Sequence, residues 1–269
     1  MIQEDLRKKS QELLESGSVN VVIGYGKGSG ENIRPVFIRK PDAVDRLIFD
    51  ERCVQNLAVY LLKHEVKELG NLAVIAPLPV MRAINQLMFE NQIEDGEITV
   101  IGISEEGTIL ELPDVQSMRT YLSRMTHELT QDEKEKLEQI EKLSPAERWN
   151  FWQDELEACM KCYACRASCP LCYCSQCTVE GNQPQWISVP SHRIGNLEWH
   201  IMRAMHLAGR CVNCGECYRA CPLKIPINLL TRKLAEVIEE KFGVGAGIGE
   251  MPEYPLSMFK PDDKEDFIR

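Results

Sequence analysis

Cys159-Met-Lys-Cys162-Tyr-Ala-Cys165-Arg-Ala-Ser-Cys169-Pro170 decides how the second half of this chain is read. The pattern returns as Cys211-Val-Asn-Cys214-Gly-Glu-Cys217-Tyr-Arg-Ala-Cys221-Pro222. Each copy is Cys-x2-Cys-x2-Cys-x3-Cys-Pro. Three thiolates spaced by three on a tight loop can hold three corners of a cubane, while the fourth points away to a second site. The spacing therefore predicts two 4Fe–4S clusters with crossed ligands. Cys159, Cys162, Cys165 and Cys221 form one set, and Cys211, Cys214, Cys217 and Cys169 the other. Each proline removes a backbone donor where the chain turns away. Structural zinc favours two separated Cys-x2-Cys pairs, and disulfide scaffolds favour short secreted chains. The repeated spacing, proline included, points to iron–sulfur over both.

Eleven of the twelve cysteines lie between Cys159 and Cys221. Eight are used by the two runs, leaving Cys172, Cys174, Cys177 and the distant Cys53. A third 4Fe–4S cluster, with Cys53 donated from the N-terminal half, fits that count and would pin the two halves together. The alternative is that Cys53 is a small buried hydrophobe and the other three are a zinc site or spare thiols. A four-thiolate cluster carries about two negative charges, on a chain whose formal net charge is already −10. Lys161, Arg166, Arg203, Arg210, Arg219 and Lys224 are the cations near the runs, and any one of them can equally be an ordinary surface charge.

Working outward, residues 1–115 read as an α/β domain with a partly parallel sheet. Val19-Asn-Val-Val-Ile-Gly24, Arg34-Pro-Val-Phe-Ile38, Leu72-Ala-Val-Ile-Ala76 and Glu97-Ile-Thr-Val-Ile-Gly102 are strand-like. Leu57, Ala58 and Leu61 recur at helical spacing, as do Val80, Ile84, Leu87 and Met88. Strand, helix, strand over 72–102 is a βαβ crossover, which implies parallel pairing. Residues 116–157 read as a helical connector whose charge run is a solvated face. Residues 158–242 read as a ferredoxin-like dicluster domain with an inserted helix, marked by the stripe Leu197, Ile201, Ala204, Met205 and Ala208. A further helix carries Leu230, Leu234, Val237 and Ile238. The tail, 243–269, is Gly-rich and then Pro-rich, expected to wrap a surface or stay mobile.

Several classes are excluded or disfavoured. An acidic chain without a basic run is a poor nucleic-acid binder. No apolar run reaches the length of a transmembrane helix, and the first residues lack a secretory h-region, so a cytoplasmic location is expected. Gly24-Tyr-Gly-Lys27-Gly-Ser-Gly30 matches neither common phosphate-loop pattern and reads as a mobile loop, although Lys27 could touch a flavin phosphate. Arg82, near a helix start, is a candidate anion contact. His64, His127, His192, His200 and His206 show no metal spacing. Trp149, Trp152, Trp186 and Trp199 read as core or interface residues.

The stretches Cys159 to Cys177 and His206 to Pro226 resemble the beta subunit of deazaflavin-linked formate dehydrogenases, a family that includes the beta subunit of the coenzyme F-420-reducing hydrogenase. Leu13 to Gly24, Arg34-Pro-Val and Asn56 to Leu61 are similar to its α/β domain. The resemblance implies FAD and deazaflavin chemistry beside clusters that pass electrons to a partner. The chain differs in its N-terminal entry segment. It also carries Pro77-Leu-Pro-Val-Met-Arg82 where the family often has a Cys-Asp pair. These departures imply a shortened member that serves as a wire.

The sequence is therefore read as a non-catalytic electron-transfer subunit of an anaerobic oxidoreductase complex. Its expected partners are a hydrogenase, formate dehydrogenase, heterodisulfide-reductase-like or flavin subunit. The competing readings are an FAD-containing subunit that itself reacts with coenzyme F-420 or a nicotinamide, and a zinc-stabilised interaction module.

Overall fold

The computed structural model describes residues 2–125, 129–179 and 184–250; His127 and the Pro-rich end of the tail lie outside the described residues. Helix α1 (Ile2–Glu15) leads into strands β1 (Val21–Lys27) and β2 (Ile33–Ile38). A one-turn helix α2 (His64–Lys67), strand β3 (Leu72–Ala76), helix α3 (Leu78–Phe89) and strand β4 (Ile98–Gly102) follow. The four strands form one mixed sheet in the order β2-β1-β3-β4. β1 runs antiparallel to β2, while β3 pairs in parallel with both β1 and β4. The crossover over 72–102 is thus present. Every residue of β3 is buried, as an unbroken apolar run requires of an inner parallel strand.

Two local expectations change. β1 does not stop at Gly24 but continues to Lys27. A Cβ at Gly26 would meet the Val36 side chain and the Arg46 carbonyl, so this glycine permits close packing inside a strand. The turn that follows closes with the Gly28 N–H donating to Asn32 O at 2.7 Å, and Lys27 is exposed. The apolar spacing at 57–61 forms only a short 3-10 turn, Leu57–Tyr60. Its Asn56 side chain accepts from the Ala58 N–H and donates to Pro79 O, fixing an irregular segment that still buries Leu57, Ala58 and Leu61.

Helices α4 (Val115–Leu122), α5 (Gln131–Lys142) and α6 (Pro145–Glu157) come next. α5 and α6 each start with a capping box, Thr130 with Glu133 and Ser144 with Glu147. Such reciprocal bonds satisfy backbone donors that the first turn leaves open. α5 is charged on its outer face but buries Leu137 and Ile140. The cysteine region holds two single-turn helices, α7 (Ala164–Ala167) and α9 (Glu216–Arg219), and two long ones, α8 (Arg193–His206) and α10 (Ile227–Phe242). α8 packs against both α6 and α10, and α7 packs against α9. Leu171, Leu207 and Val212 join the core beneath the sheet, so the cysteine segments share that core.

Of the stripe its apolar residues draw, α8 and the turn after it bury Ala204 and Ala208 and half-bury Leu197. Ile201 and Met205 are exposed, while Asn196, His200 and Arg203 are buried with Trp199 and Ala204. A helix that buries polar side chains must pack against polar groups, and here it faces the cysteine loops. The described start of the tail lies on the surface of α3. Arg82 Nη2 donates to Ala246 O at 3.0 Å, Asn85 Nδ2 to Gly249 O at 3.0 Å, and the Gly247 N–H to Gln86 Oε1 at 2.9 Å. Residues 246–249 are therefore strapped onto α3. Among the described residues, no helix is long and apolar enough to cross a membrane.

Candidate metal centre

The two cysteine runs adopt the same backbone conformation. In the first, Lys161 and Tyr163 have positive φ, 53° and 57°; in the second, Asn213 and Gly215 match them at 58° and 75°. Left-handed residues at these steps turn successive N–H groups inward. The Lys161 N–H donates to Cys159 Sγ at 3.3 Å. The Asn213 and Glu216 backbone N–H groups likewise favour the Cys211 and Cys214 thiolates. Each loop then enters a single-turn helix, with Ala167 N–H to Tyr163 O at 3.0 Å in one and Arg219 N–H to Gly215 O at 3.1 Å in the other. The third cysteines, Cys165 and Cys217, sit on α7 and α9, and each fourth cysteine follows immediately.

The sulfurs group across the runs. Cys165 interacts electrostatically with Cys159, Cys162 and Cys221. Cys214 interacts with Cys169, Cys211 and Cys217. Each fourth cysteine thus faces the loop of the other run. Burial pushes the Cys159, Cys165, Cys211 and Cys214 thiols up, and Cys217 up to about 12, with neighbouring thiolates adding to the rise. Thiols crowded in this way ionise readily only against positive charge, which a coordinated metal supplies. Two sets of four soft donors, with backbone N–H groups aimed at sulfur, fit iron–sulfur cubanes. Among the described residues, no three His, Cys, Asp or Glu side chains converge as ligands of a single ion do. A cubane asks for something else, since each thiolate takes a different iron.

The remaining cysteines divide. Cys172, Cys174 and Cys177 line one cavity of 260 Å³ with Arg166, Arg203, Arg210 and His206. Cys172 also shares a hydrogen bond with Cys169. Cys53 is buried in the core of the sheet, its thiol donating to Ile48 O at 3.8 Å and accepting from the Asp50 N–H at 3.4 Å. Asp50 and Arg52 act on its thiol, which in turn acts on Tyr25.

The cations sort by environment. Arg210 pairs with Glu90, and Arg219 with Glu216. Lys224 stands over the Tyr218 ring at 5.5 Å. Lys161 and Arg203 are the buried ones. Arg82 is also buried; its Nη2 serves the strap, and the side chain lines a cavity with Cys211, whose thiol acts on it together with that of Cys214. Trp199 is core and stacks edge-on against Tyr163 at 5.3 Å, whereas Trp149 and Trp186 are exposed. Sequence reasoning missed Asn196, whose Nδ2 donates to Glu157 O and Cys159 O at 3.1 and 2.7 Å and so locks α8 to the first loop. It lay outside the apolar stripe, and only its position on the cysteine-facing side of α8 distinguishes it.

No family model matches the chain. It is 32% identical over 98 residues to the F420-dependent formate dehydrogenase subunit beta of Methanocaldococcus jannaschii, covering 36% of this chain and 25% of that protein. It is also 32% identical over 110 residues to the F420-dependent formate dehydrogenase 1 subunit beta of Methanococcus maripaludis, covering 41% of this chain and 27% of the relative. The resemblance to the beta subunit of deazaflavin-linked formate dehydrogenases thus holds. The chain spans about a quarter of the length of the curated relatives it matches.

Proposed function

We propose that this chain is an iron–sulfur electron-transfer subunit of a larger oxidoreductase. The observation that carries the reading is the pair of cysteine loops with matching backbone conformation, whose fourth cysteines face each other's sets. Cys159, Cys162, Cys165 and Cys221 would hold one 4Fe–4S centre, and Cys211, Cys214, Cys217 and Cys169 the other. Bound there, such centres supply one-electron transfer without bond making. The chain's own residues do the rest. Backbone N–H groups at Lys161, Asn213 and Glu216 donate toward sulfur and stabilise charge. Tyr163, Trp199 and Ile225 pack around the first set and limit water there.

Cys172, Cys174 and Cys177 belong to the proposal as a third centre, for which Cys53 is the fourth ligand expected from the cysteine count. The partners proposed are a hydrogenase, formate dehydrogenase, heterodisulfide-reductase-like or flavin subunit. The names of the two relatives support a formate-linked complex, and exposed Trp149 and Trp186 suit a protein contact.

Anaerobic purification with iron, sulfide and flavin quantified together tests the reading. About eight to twelve iron atoms per chain, matched by sulfide, with no turnover of hydrogen, formate or reduced nucleotide by the chain alone, is the expected result. Stoichiometric FAD with robust turnover would move the assignment to a flavoenzyme, and zinc without sulfide to an interaction module.

A further inference from the structure

α8 carries two buried polar side chains, three residues apart, whose hydrogen-bonding groups are largely unused. Arg203 is 3% exposed; its Nη2 donates to Cys165 O at 2.9 Å, and the side chain also bonds the Cys172 thiol. Its Nε and Nη1 are buried without a partner. His200 is 2% exposed, with neither ring nitrogen partnered. A guanidinium in such a place is costly unless anions face it. Arg210 and Arg219 have carboxylates for this purpose; among the described residues, Arg203 has none. What surrounds it is sulfur: Cys169 and Cys217 of one set, Cys165 of the other, and Cys172. Asn196, on the same face, bonds the backbone on either side of Ala158 and fixes the register of the helix. The position of Arg203 is therefore set by the fold.

We infer that Arg203 is a shared positioning residue, a fixed cation between the two four-cysteine sets that raises the reduction potential of both centres. The inference rests on the cluster assignment above. Adding one electron to either set adds one negative charge and changes no bond or proton. A cation held in a low-dielectric site stabilises that charge by direct Coulomb attraction. Two of the cysteines around Arg203, Cys169 and Cys217, belong to the Cys211 set, and one, Cys165, to the Cys159 set. The effect is therefore larger on the former. A neutral residue at 203 lowers both potentials and lowers that of the Cys211 set more.

The test is an anaerobic redox titration monitored by EPR on the whole chain, comparing wild type, Arg203→Gln and Arg203→Lys, with iron counted in each. The expected result is a shift of at least tenfold in the one-electron equilibrium of the Cys211 set in Arg203→Gln, which is about 59 mV. A smaller shift is expected in the other set, and unchanged potentials in Arg203→Lys. Full iron with unmoved potentials in Arg203→Gln overturns the inference, as does an equal shift in Arg203→Lys. Should Arg203→Gln fail to hold iron, Arg203→Lys decides: full iron at wild-type potentials supports the retained charge, and lost iron or shifted potentials reject it. Wild-type protein that assembles no clusters would instead remove the cluster assignment itself.

Discussion

Arg210 grips Glu90 through both Nε and Nη2, at 2.8 and 2.5 Å, tying the loop before the second cysteine run to the end of α3. Tyr173 adds its hydroxyl, donating to Glu90 Oε2 at 2.7 Å, and its ring lies 5.3 Å beneath the guanidinium. Three segments distant in sequence thus meet on one carboxylate whose side chain is 9% exposed.

Glu90→Gln keeps the shape of that junction and removes its charge. Arg210 and the Tyr173 hydroxyl then face a neutral amide, at a cost of about 2–3 kcal/mol. Tyr173→Phe should cost about 1 kcal/mol, and the double variant less than the sum, because both act on one network. Thermal unfolding of the four proteins measures this. An unchanged Tm in Glu90→Gln would mean that the junction is held by apolar packing alone.

Cys169→Ser tests the crossing. Cys169 follows the first run but lies among Cys211, Cys214 and Cys217. The EPR signal of that set should be lost or altered in the reduced variant, and the signal of the Cys159 set retained. The reverse pattern would assign each run its own cluster.

Period and spacing made the sheet legible. Leu72–Ala76 was readable as a buried parallel strand because nothing polar interrupts it, and Ile98–Gly102 as its β-branched partner across the crossover. The 57–61 segment was not, since apolar spacing of three and four also arises wherever an irregular chain lies on a core, and the bond from Asn56 to Pro79 O is not written in any local pattern. The expected grouping of the eight run cysteines rests on the repetition of their spacing. The polar face of α8 has no such signal, because a hydropathy stripe locates apolar burial and cannot register Asn196, His200 and Arg203 turned toward cysteines. Nor is the bond from Arg82 to a carbonyl of residue 246 written in any local pattern, since it joins segments far apart in sequence.

Gly247→Ala should release the strap. Gly247 has φ of 68°, and an added Cβ would meet the Arg82 carbonyl. Left-handed backbone alone costs an alanine about 1–2 kcal/mol, and the contact adds to it. Limited proteolysis should cut after residue 243 in the variant and spare the wild type, while Gly243→Ala, which shares the left-handed φ at 70° but meets nothing, should carry the backbone cost alone and open less. Equal resistance in Gly247→Ala would show that the strap does not depend on its bond to Gln86.

Iron counting separates the two fates of the four remaining cysteines. Cys172, Cys174 and Cys177 share one cavity with Arg166, Arg203, Arg210 and His206, so a third centre there would sit among cations that offset its charge. Cys53 is held elsewhere, between Ile48 O and the Asp50 N–H, in a core that leaves it 5% exposed. If the cavity holds a cluster, the wild-type chain contains about twelve iron atoms, and Cys174→Ser lowers that toward about eight. Cys53→Ser then reports on the fourth ligand. A loss of about four irons assigns it to Cys53 and requires the chain around Asp50 to move when the cluster forms. Retention of all twelve, the outcome the present position of Cys53 favours, leaves it as a core thiol and turns the search to the other groups lining the cavity, of which His206 has the donor chemistry. About eight irons in both wild type and Cys174→Ser would remove the third centre altogether.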